Sequence, residues 1–249
     1  MCTRGLFVIV DIHSHILPNL DDGSRNLQET KEMIDIAVQE GIEAIIATPH
    51  YEAGANQEFI VKYQQAFEEV IQYIEANQIP LKLYQGNEIY YSESVPELLQ
   101  KNEVHTLNGT PYILMEFPIE MGYSSIQRAV NAVSYAGYWP IIAHTERYPA
   151  LRDIKKVHEL IRMGAYIQLN TNAITGKEGW RTKQFCKKLL KHHMVHVVGT
   201  DAHGSRHRRP KMKECLGYLD KKFGKTYRRR ISEENPLSIL KGEKIGGEN

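Results

Sequence analysis

The sequence predicts an α/β fold, a distorted seven-stranded (β/α) barrel of the TIM-like kind, and three observations lead there. Short β-branched runs alternate with longer segments of helical period along the 249 residues. No repeat, low-complexity tract or linker interrupts the alternation, so residues 1–249 are expected to form one domain. Acids and histidines follow almost every candidate strand at its C-terminal end. A barrel gathers those ends on one face, whereas an open sheet spreads them along a crevice.

The candidate strands are Leu6–Ile12, Glu43–Thr48, Leu81–Gly86, Tyr112–Phe117, Trp139–Ala143, Ala165–Leu169 and Val195–Gly199. Leu27, Thr30, Ile34, Ala37 and Val38 share one helix face, and Asn26 with Glu29 reads as a capping box ahead of them. Phe59, Tyr63, Phe67, Val70, Ile71 and Ile74 mark a second helix. Leu151, Ile154, Val157, His158 and Ile161 mark another, ended by Gly164. A strand-helix alternation of this kind implies parallel strands joined by right-handed crossovers.

Composition narrows the class. Hydrophobic residues make up 42% and charged residues 24% of the chain, which suits a folded globular protein and not a disordered one. No run approaches the apolar length of a membrane span, and Leu6–Val10 is too short for a signal peptide, so no membrane insertion is expected. Cysteines at 2, 186 and 215 make no disulfide framework, and a reducing cytoplasm is the expected compartment. Charge is uneven: Met1–Gly176 holds 12 basic and 22 acidic residues, whereas Lys177–Arg230 holds 17 and 4. That basic stretch favours anions.

The chemistry-bearing residues are those at the strand ends: Asp11, His13 and His15 after the first, then His50, Glu88, Glu116 and His144, with Asp201 and His203 after the last. In Asp-Ile-His-Ser-His (11–15) the period of two puts His13 and His15 on one side of an extended chain, where they can chelate one ion. Alone, His-x-His is as easily a polar turn. The ensemble says more, because carboxylates gathered in one mouth need cations to offset their charge. Mixed imidazole and carboxylate donors suit Mn, Zn or Fe(II), and so many of them imply two or three ions. Such a centre acidifies water and clamps a phosphoryl group.

Arg147 follows a strand-end histidine directly, and Arg208 lies just past His203. Both are expected to contact phosphate bidentately. Arg206 and Arg228–Arg230 read instead as a solvated charged face. His192, His193 and His196 flank a strand start and are expected on the surface; His105 and His158 read as structural. Gly224-Lys225-Thr226 lacks the spacing and preceding strand of a phosphate-binding loop. No Cys has Arg six positions later, which excludes a thiol-nucleophile phosphatase.

Seven motifs together carry a family resemblance: Asp-Ile-His-Ser-His (11–15), Asp-Asp-Gly (21–23), Ala-Thr-Pro-His (47–50), Gly-Asn-Glu-Ile-Tyr (86–90), Leu-Met-Glu-Phe-Pro (114–118), Ile-Ala-His-Thr-Glu-Arg-Tyr (142–148) and Gly-Thr-Asp-Ala-His (199–203). From about Val10 to Lys241 the chain resembles the polymerase-and-histidinol-phosphatase (PHP) superfamily. More narrowly it resembles the manganese-dependent bacterial protein-tyrosine phosphatases of capsular and exopolysaccharide clusters, the CpsB/CapC family. Met1–Ile9 precedes the family's usual start, as a short N-terminal extension.

The resemblance implies two or three Mn²⁺ ions, with Fe, Zn or Mg as other occupants. It implies that His13, His15, Glu88 and Asp201 surround one metal, that Glu116 and His144 join Glu88 at a second, and that Asp22, His50 and His203 hold a third. Asp22 enters only through the resemblance. Arg147 matches the family's phosphate arginine; Arg208 matches the second, with Arg209 as a one-residue alternative. The implied reaction is hydrolysis of protein phosphotyrosine by attack of a metal-bound hydroxide, without a phosphoenzyme. The implied substrate is the C-terminal tyrosine cluster of a bacterial polysaccharide-biosynthesis kinase. Histidinol phosphate or another small phosphomonoester is the alternative substrate, and a PHP-type nuclease the alternative class, although no nucleic acid is expected as partner. A homo-oligomer stays open.

Overall fold

In a computed structural model the fold is described for residues 8–52, 54 and 57–246. Its strands are β1 (Val10–Ser14), β2 (Ala44–Ala47), β3 (His50–Tyr51), β4 (Lys82–Gln85), β5 (Glu88–Tyr90), β6 (Tyr112–Glu116), β7 (Trp139–Ile142), β8 (Tyr166–Asn170) and β9 (Val197–Gly199). The helices are α1 (Leu27–Gln39), α2 (Gln57–Ala76), α3 (Val95–Gln100), α4 (Tyr123–Tyr135), α5 (Ile154–Arg162), α6 (Thr171–Thr175), α7 (Trp180–Lys191), α8 (Lys213–Phe223), α9 (Lys225–Arg229) and α10 (Asn235–Lys241).

Every strand pairing is parallel. One ladder runs β1-β2-β4 and a second runs β3-β5-β6-β7-β8-β9, giving a curled sheet in a mixed α/β fold. The two ladders follow from the backbone around Pro49. Proline has no N–H to give, so the run begun by β2 breaks at Thr48–Pro49 and resumes as β3. Its neighbour breaks in step at Gly86–Asn87, where the Asn87 side chain and the Glu88 N–H both donate to the Pro49 carbonyl, at 3.0 and 3.2 Å. His50 and Glu88 therefore sit in register on short strands of their own, not on the loops after longer ones. At the far side of the curl, Asp201 N–H donates to the His13 carbonyl and His15 N–H to the Ala202 carbonyl, each at 2.8 Å.

Alternate strand residues divide the core. Ile45, Met115, Ile142, Ile167 and Val198 pack among the helices with Met33, Ile34 and Val70. Their neighbours Ile12, Ile46, Leu114, Ile141 and Val197 pack with one another and with Tyr112, Ile239 and Ile245 on the concave side. The Tyr112 hydroxyl donates to the Glu243 carbonyl and accepts from Ile245 N–H, so the end of the described chain is fastened opposite the polar strand ends.

Local signals are met with small shifts. Asn26 caps α1 by accepting from Glu29 N–H at 3.0 Å, but the Glu29 carboxylate turns to Arg25 instead of closing the capping box. Leu151 falls in a short 3₁₀ turn before α5, and Gly164, at φ 101°, carries the chain from that helix towards β8. The first strand begins at Val10 and runs on through His13. Leu6, Phe7, Cys2 and the rest of residues 1–7 lie outside the described residues. No described helix is long and apolar enough to cross a membrane.

Candidate metal centre

Five imidazoles and four carboxylates meet at the C-terminal strand ends; eight of them form three overlapping metal-capable sets, and His144 stands against Glu88 and Glu116 of the second. In the deepest, Glu88 Oε2 lies 3.2 Å from His13 Nε2 and 3.1 Å from His15 Nε2, while Asp201 Oδ1 lies 3.4 and 3.6 Å from the same nitrogens. Glu88 reaches the second with its other oxygen: Oε1 is 2.8 Å from His144 Nε2, and Glu116 Oε1 is 3.4 Å from that nitrogen. At the rim, Asp22 Oδ1 stands 3.5 Å from His50 Nε2 and 3.3 Å from His203 Nε2. His50 belongs to both outer sets, since its Nδ1 faces Glu88 and Glu116 at 3.2 and 3.4 Å.

Four of the imidazoles are held from behind. His15 Nδ1 bonds to Asp21 at 2.6 Å, and His203 Nδ1 to its neighbour's carbonyl, Asp201 O, at 3.0 Å. His13 Nδ1 lies 3.4 Å from Gln168 Oε1, and His144 Nδ1 lies 3.4 Å from the Tyr148 hydroxyl. A rear partner that takes the Nδ1 proton leaves the Nε2 lone pair facing the cluster. Close packing enforces this arrangement. A Cβ on Gly23 would stand 2.4 Å from that of His15, and one on Gly199 would stand 2.7 Å from that of His13. Three residues here hold left-handed backbone that costs energy without glycine: His144 (φ 28°), Asp201 (φ 51°) and Arg208 (φ 45°).

The charges are out of balance. Burial disfavours a proton on His15, yet its bond to Asp21 and the nearby Glu88 charge outweigh this and lift its pKa to about 10. Burial and the Glu88 charge push Glu116 up to about 7. Burial pulls His203 down to about 3, helped by His15. Glu88 is driven well below its usual range, because His13 and His144 outweigh burial. Glu88 Oε2 and Asp201 Oδ1 are fully buried and make no hydrogen bond of acceptable geometry, although they point among imidazole nitrogens. Divalent cations fit this donor set: oxygen and nitrogen lone pairs converge, protons are crowded, and metal binding would displace them.

Both expected arginines reach the centre. Arg147 and Arg208 each place Nη2 on Asp201 Oδ2, at 2.8 and 2.6 Å. Arg206 and Arg209, the latter the one-residue alternative to Arg208, are exposed.

Three expectations need correction. Asp11, grouped with the strand-end acids, is turned away from the cluster. Its carboxylate accepts from Thr200 N–H at 2.9 Å and from the Thr200 hydroxyl, and burial lifts its pKa to about 6. His196 is buried, not at the surface: Nδ1 accepts Ile167 N–H at 3.0 Å. Arg228 is no solvated charge, since it pairs with Asp220 at 2.9 Å and with Glu233. His192, His193 and His158 are exposed, and His105 stacks on Tyr63 with centroids 4.4 Å apart.

Asp21, Gln168, Asn170 and Tyr148 are the residues that sequence reasoning missed. The signal for the amides was present: Gln168 and Asn170 alternate with Ile167 and Leu169, so two polar side chains face the interior from a buried strand.

A curled parallel α/β sheet with this polydentate cluster and two adjoining guanidiniums defines a class of protein with a metal-capable, anion-accepting centre. The particular family follows from comparison. The model for capsular polysaccharide synthesis, CpsB/CapC, matches residues 9–241, and the chain belongs to that family. It is 32% identical over 243 residues to the tyrosine-protein phosphatase CpsB of Streptococcus pneumoniae, across 95% of this chain and 100% of the relative. It is 32% identical over 238 residues to the tyrosine-protein phosphatase YwqE of Bacillus subtilis, across 95% and 93%. A solved structure from work on YwqE and CpsB, described as metal-dependent tyrosine phosphatases, superposes with a TM-score of 0.89 at 32% identity over 96% of each chain.

Proposed function

We propose that the chain is a cytoplasmic, metal-dependent protein-tyrosine phosphatase whose substrate is the C-terminal tyrosine cluster of a bacterial polysaccharide-biosynthesis kinase. The observation that carries this reading is the pair of buried, unbonded carboxylate oxygens, Glu88 Oε2 and Asp201 Oδ1, set among imidazole nitrogens and backed by two arginines. Membership of the CpsB/CapC family and the names of the relatives supply the phosphotyrosine specificity. The buried free thiols of Cys186 and Cys215 suit a reducing compartment.

Manganese is the proposed ion. His13, His15, Glu88 and Asp201 would hold one ion, Glu88, Glu116 and His144 a second, and Asp22, His50 and His203 a third. His15 and His50 stand close enough to serve two sets each. When bound, such ions supply Lewis acidity, which acidifies water and neutralises phosphoryl charge. Arg147 and Arg208 bind the phosphoryl oxygens, for which their forked N–H groups are matched. The departing phenolate, with an unperturbed pKa of about 10, needs less help from an acid than an alkoxide does. Asp22, 67% exposed, opens the centre to a side chain carried on a polypeptide.

The finer architecture belongs to the same proposal. Taking β2 with β3 and β4 with β5 as two staggered strands leaves seven. The bridge from Ser14 to Ala202 then closes the ring as a distorted barrel in one domain.

The test is phosphate release from a phosphotyrosine peptide by metal-stripped protein with and without Mn²⁺, with His13→Ala as control. Mn²⁺-dependent turnover lost in the variant is the expected result. An intact peptide beside cleaved histidinol phosphate or single-stranded DNA would overturn the substrate.

A further inference from the structure

Gln168 occupies a place in β8 that a strand of this kind normally fills with an aliphatic side chain. It is fully buried, and an amide there is costly unless each of its groups is matched. All are matched. Oε1 accepts the backbone N–H of His144 at 2.5 Å and lies 3.4 Å from His13 Nδ1; Nε2 donates to Asn170 Oδ1 at 2.8 Å. Asn170 in turn donates from Nδ2 to Asp201 Oδ2 at 2.8 Å, and its backbone N–H donates to Glu146 Oε1 at 3.1 Å. These partners leave one orientation for each amide. The oxygen of Gln168 must face the donors, which turns its nitrogen to Asn170, and this in turn aims the Asn170 nitrogen at Asp201.

The two amides thus join three parts of the centre that come from different strands: His13 on β1, His144 after β7 and Asp201 after β9. We propose that Gln168 and Asn170 are positioning residues for the metal ions of the proposed function. Gln168 holds the Nδ1 proton of His13, so that Nε2 faces the cluster, and through Asn170 it fixes the carboxylate plane of Asp201, so that Oδ1 does the same. His13 and Asp201 belong to one metal-capable set, hence a single relay aligns half of its donors. Gly199 leaves the space: a Cβ there would stand 3.1 Å from Gln168 Nε2. This inference rests on the metal reading.

The test compares Mn²⁺ affinity, by titration of the metal-stripped full chain, in wild type, Gln168→Met, Gln168→Glu and Asn170→Ala, with melting temperature measured on each metal-free protein. Gln168→Met keeps the volume and removes both arms; affinity is expected to fall about 10- to 100-fold, the usual loss when a partner behind a ligand is removed. Gln168→Glu keeps the acceptor for His13 and His144 and is expected to recover most of that loss. Asn170→Ala breaks the Asp201 arm alone and gives a smaller loss, and adding it to Gln168→Met changes little. A merely structural role predicts affinity that does not separate Glu from Met at 168, and that result overturns the inference.

A second readout does not depend on any variant folding. In the Zn²⁺-loaded wild type the His13 Nδ1 proton should give a slowly exchanging resonance, held by Gln168. A rapidly exchanging proton, or metal on Nδ1, overturns the inference while leaving the phosphatase reading intact. If the wild type binds neither Mn²⁺ nor Zn²⁺, the proposed function fails first and the positioning role falls with it.

Discussion

Asp21 takes a 2.6 Å hydrogen bond from Nδ1 of His15, and this separates its role from that of the adjacent Asp22. The same carboxylate accepts from His50 N–H and Gly23 N–H, each at 2.9 Å, and the His15 bond draws its pKa down to about 2 against the opposing effect of burial. Asp21 thus pins an imidazole, whereas Asp22 faces solvent and the rim nitrogens of His50 and His203.

Removing each acid should therefore give different results. Asp21→Ala leaves His15 without its buried partner and is expected to destabilise the metal-free protein by about 3–5 kcal/mol. It should also weaken Mn²⁺ by about 10- to 100-fold. Asp22→Ala is expected to leave stability within about 0.5 kcal/mol of wild type, as exposed positions usually do, while still weakening the outermost ion. Urea denaturation and Mn²⁺ titration read the two effects. Equal loss of stability in both variants would contradict the assignment.

The shared oxygen of Asp201 leads to a second prediction. Arg147 and Arg208 lie on Asp201 Oδ2, and under the proposed function both would exchange that contact for a phosphoryl group. Arg147→Lys and Arg208→Lys lose the planar fork and are each expected to lower kcat/KM by about 100-fold, in the range for removing one donor from a charge-stabilising site. Arg209→Ala, at an exposed position, should change it little. Steady-state kinetics on one phosphotyrosine peptide decide this. A drop in Arg209→Ala that matches Arg208→Lys would move the phosphate contact by one residue.

Most of the centre was legible because strand ends of a parallel α/β sheet converge, so residues far apart in sequence can be gathered without knowing the loops. Strand period put His13 and His15 on one side of the chain, and the other strand-end groups made them ligand candidates. Asp11 obeys the same period and was misjudged with them, because period fixes a side and not a partner: the Thr200 N–H and hydroxyl capture it below the cluster. Asp21 and Asp22 are indistinguishable in a loop with no regular geometry. Gln168 could have been suspected from its polarity in a buried strand, but its bonds to His144 and Asn170 depend on register between strands that no local pattern specifies. The division of two runs by Pro49 was readable in principle. Its partner break at Gly86–Asn87 depends on contacts with that neighbouring run.

His196 offers a test remote from the metal centre. Burial, with Arg230 nearby, depresses its pKa from 6.5 to about 4, while Nδ1 accepts Ile167 N–H. In the unfolded chain the group takes up a proton below pH 6.5, whereas the folded protein resists until about pH 4. Its contribution is fully present above pH 6.5 and is lost as pH falls towards 4; the gap is worth roughly 3 kcal/mol. His196→Asn keeps an acceptor for Ile167 and cannot titrate. It should be less stable at pH 7, having lost the ring packed against Tyr166, but should fall less steeply between pH 6.5 and 4.5. Urea midpoints across that range report the slope, and parallel curves for variant and wild type would refute the assignment.

Two glycines make a matched pair with opposite expectations. Gly199 ends β9 against β1, where an added methyl would stand 2.7 Å from His13 Cβ and 3.5 Å from its backbone nitrogen. The neighbour is a strand bonded to the next turn through Asp201 N–H, so it cannot give way cheaply. Gly199→Ala is expected to cost about 1–3 kcal/mol, the usual penalty of overpacking, and to weaken Mn²⁺ because the displaced residue is His13. Gly217 lies inside α8 with nothing within 4 Å of the same methyl. There the substitution only restricts the unfolded chain and favours helix, so Gly217→Ala should stabilise by about 0.5–1 kcal/mol and leave Mn²⁺ affinity unchanged. Denaturation curves for the two single variants settle both signs. If Gly199→Ala were neutral, the close approach of β9 to His13 would not be the constraint that the distances describe.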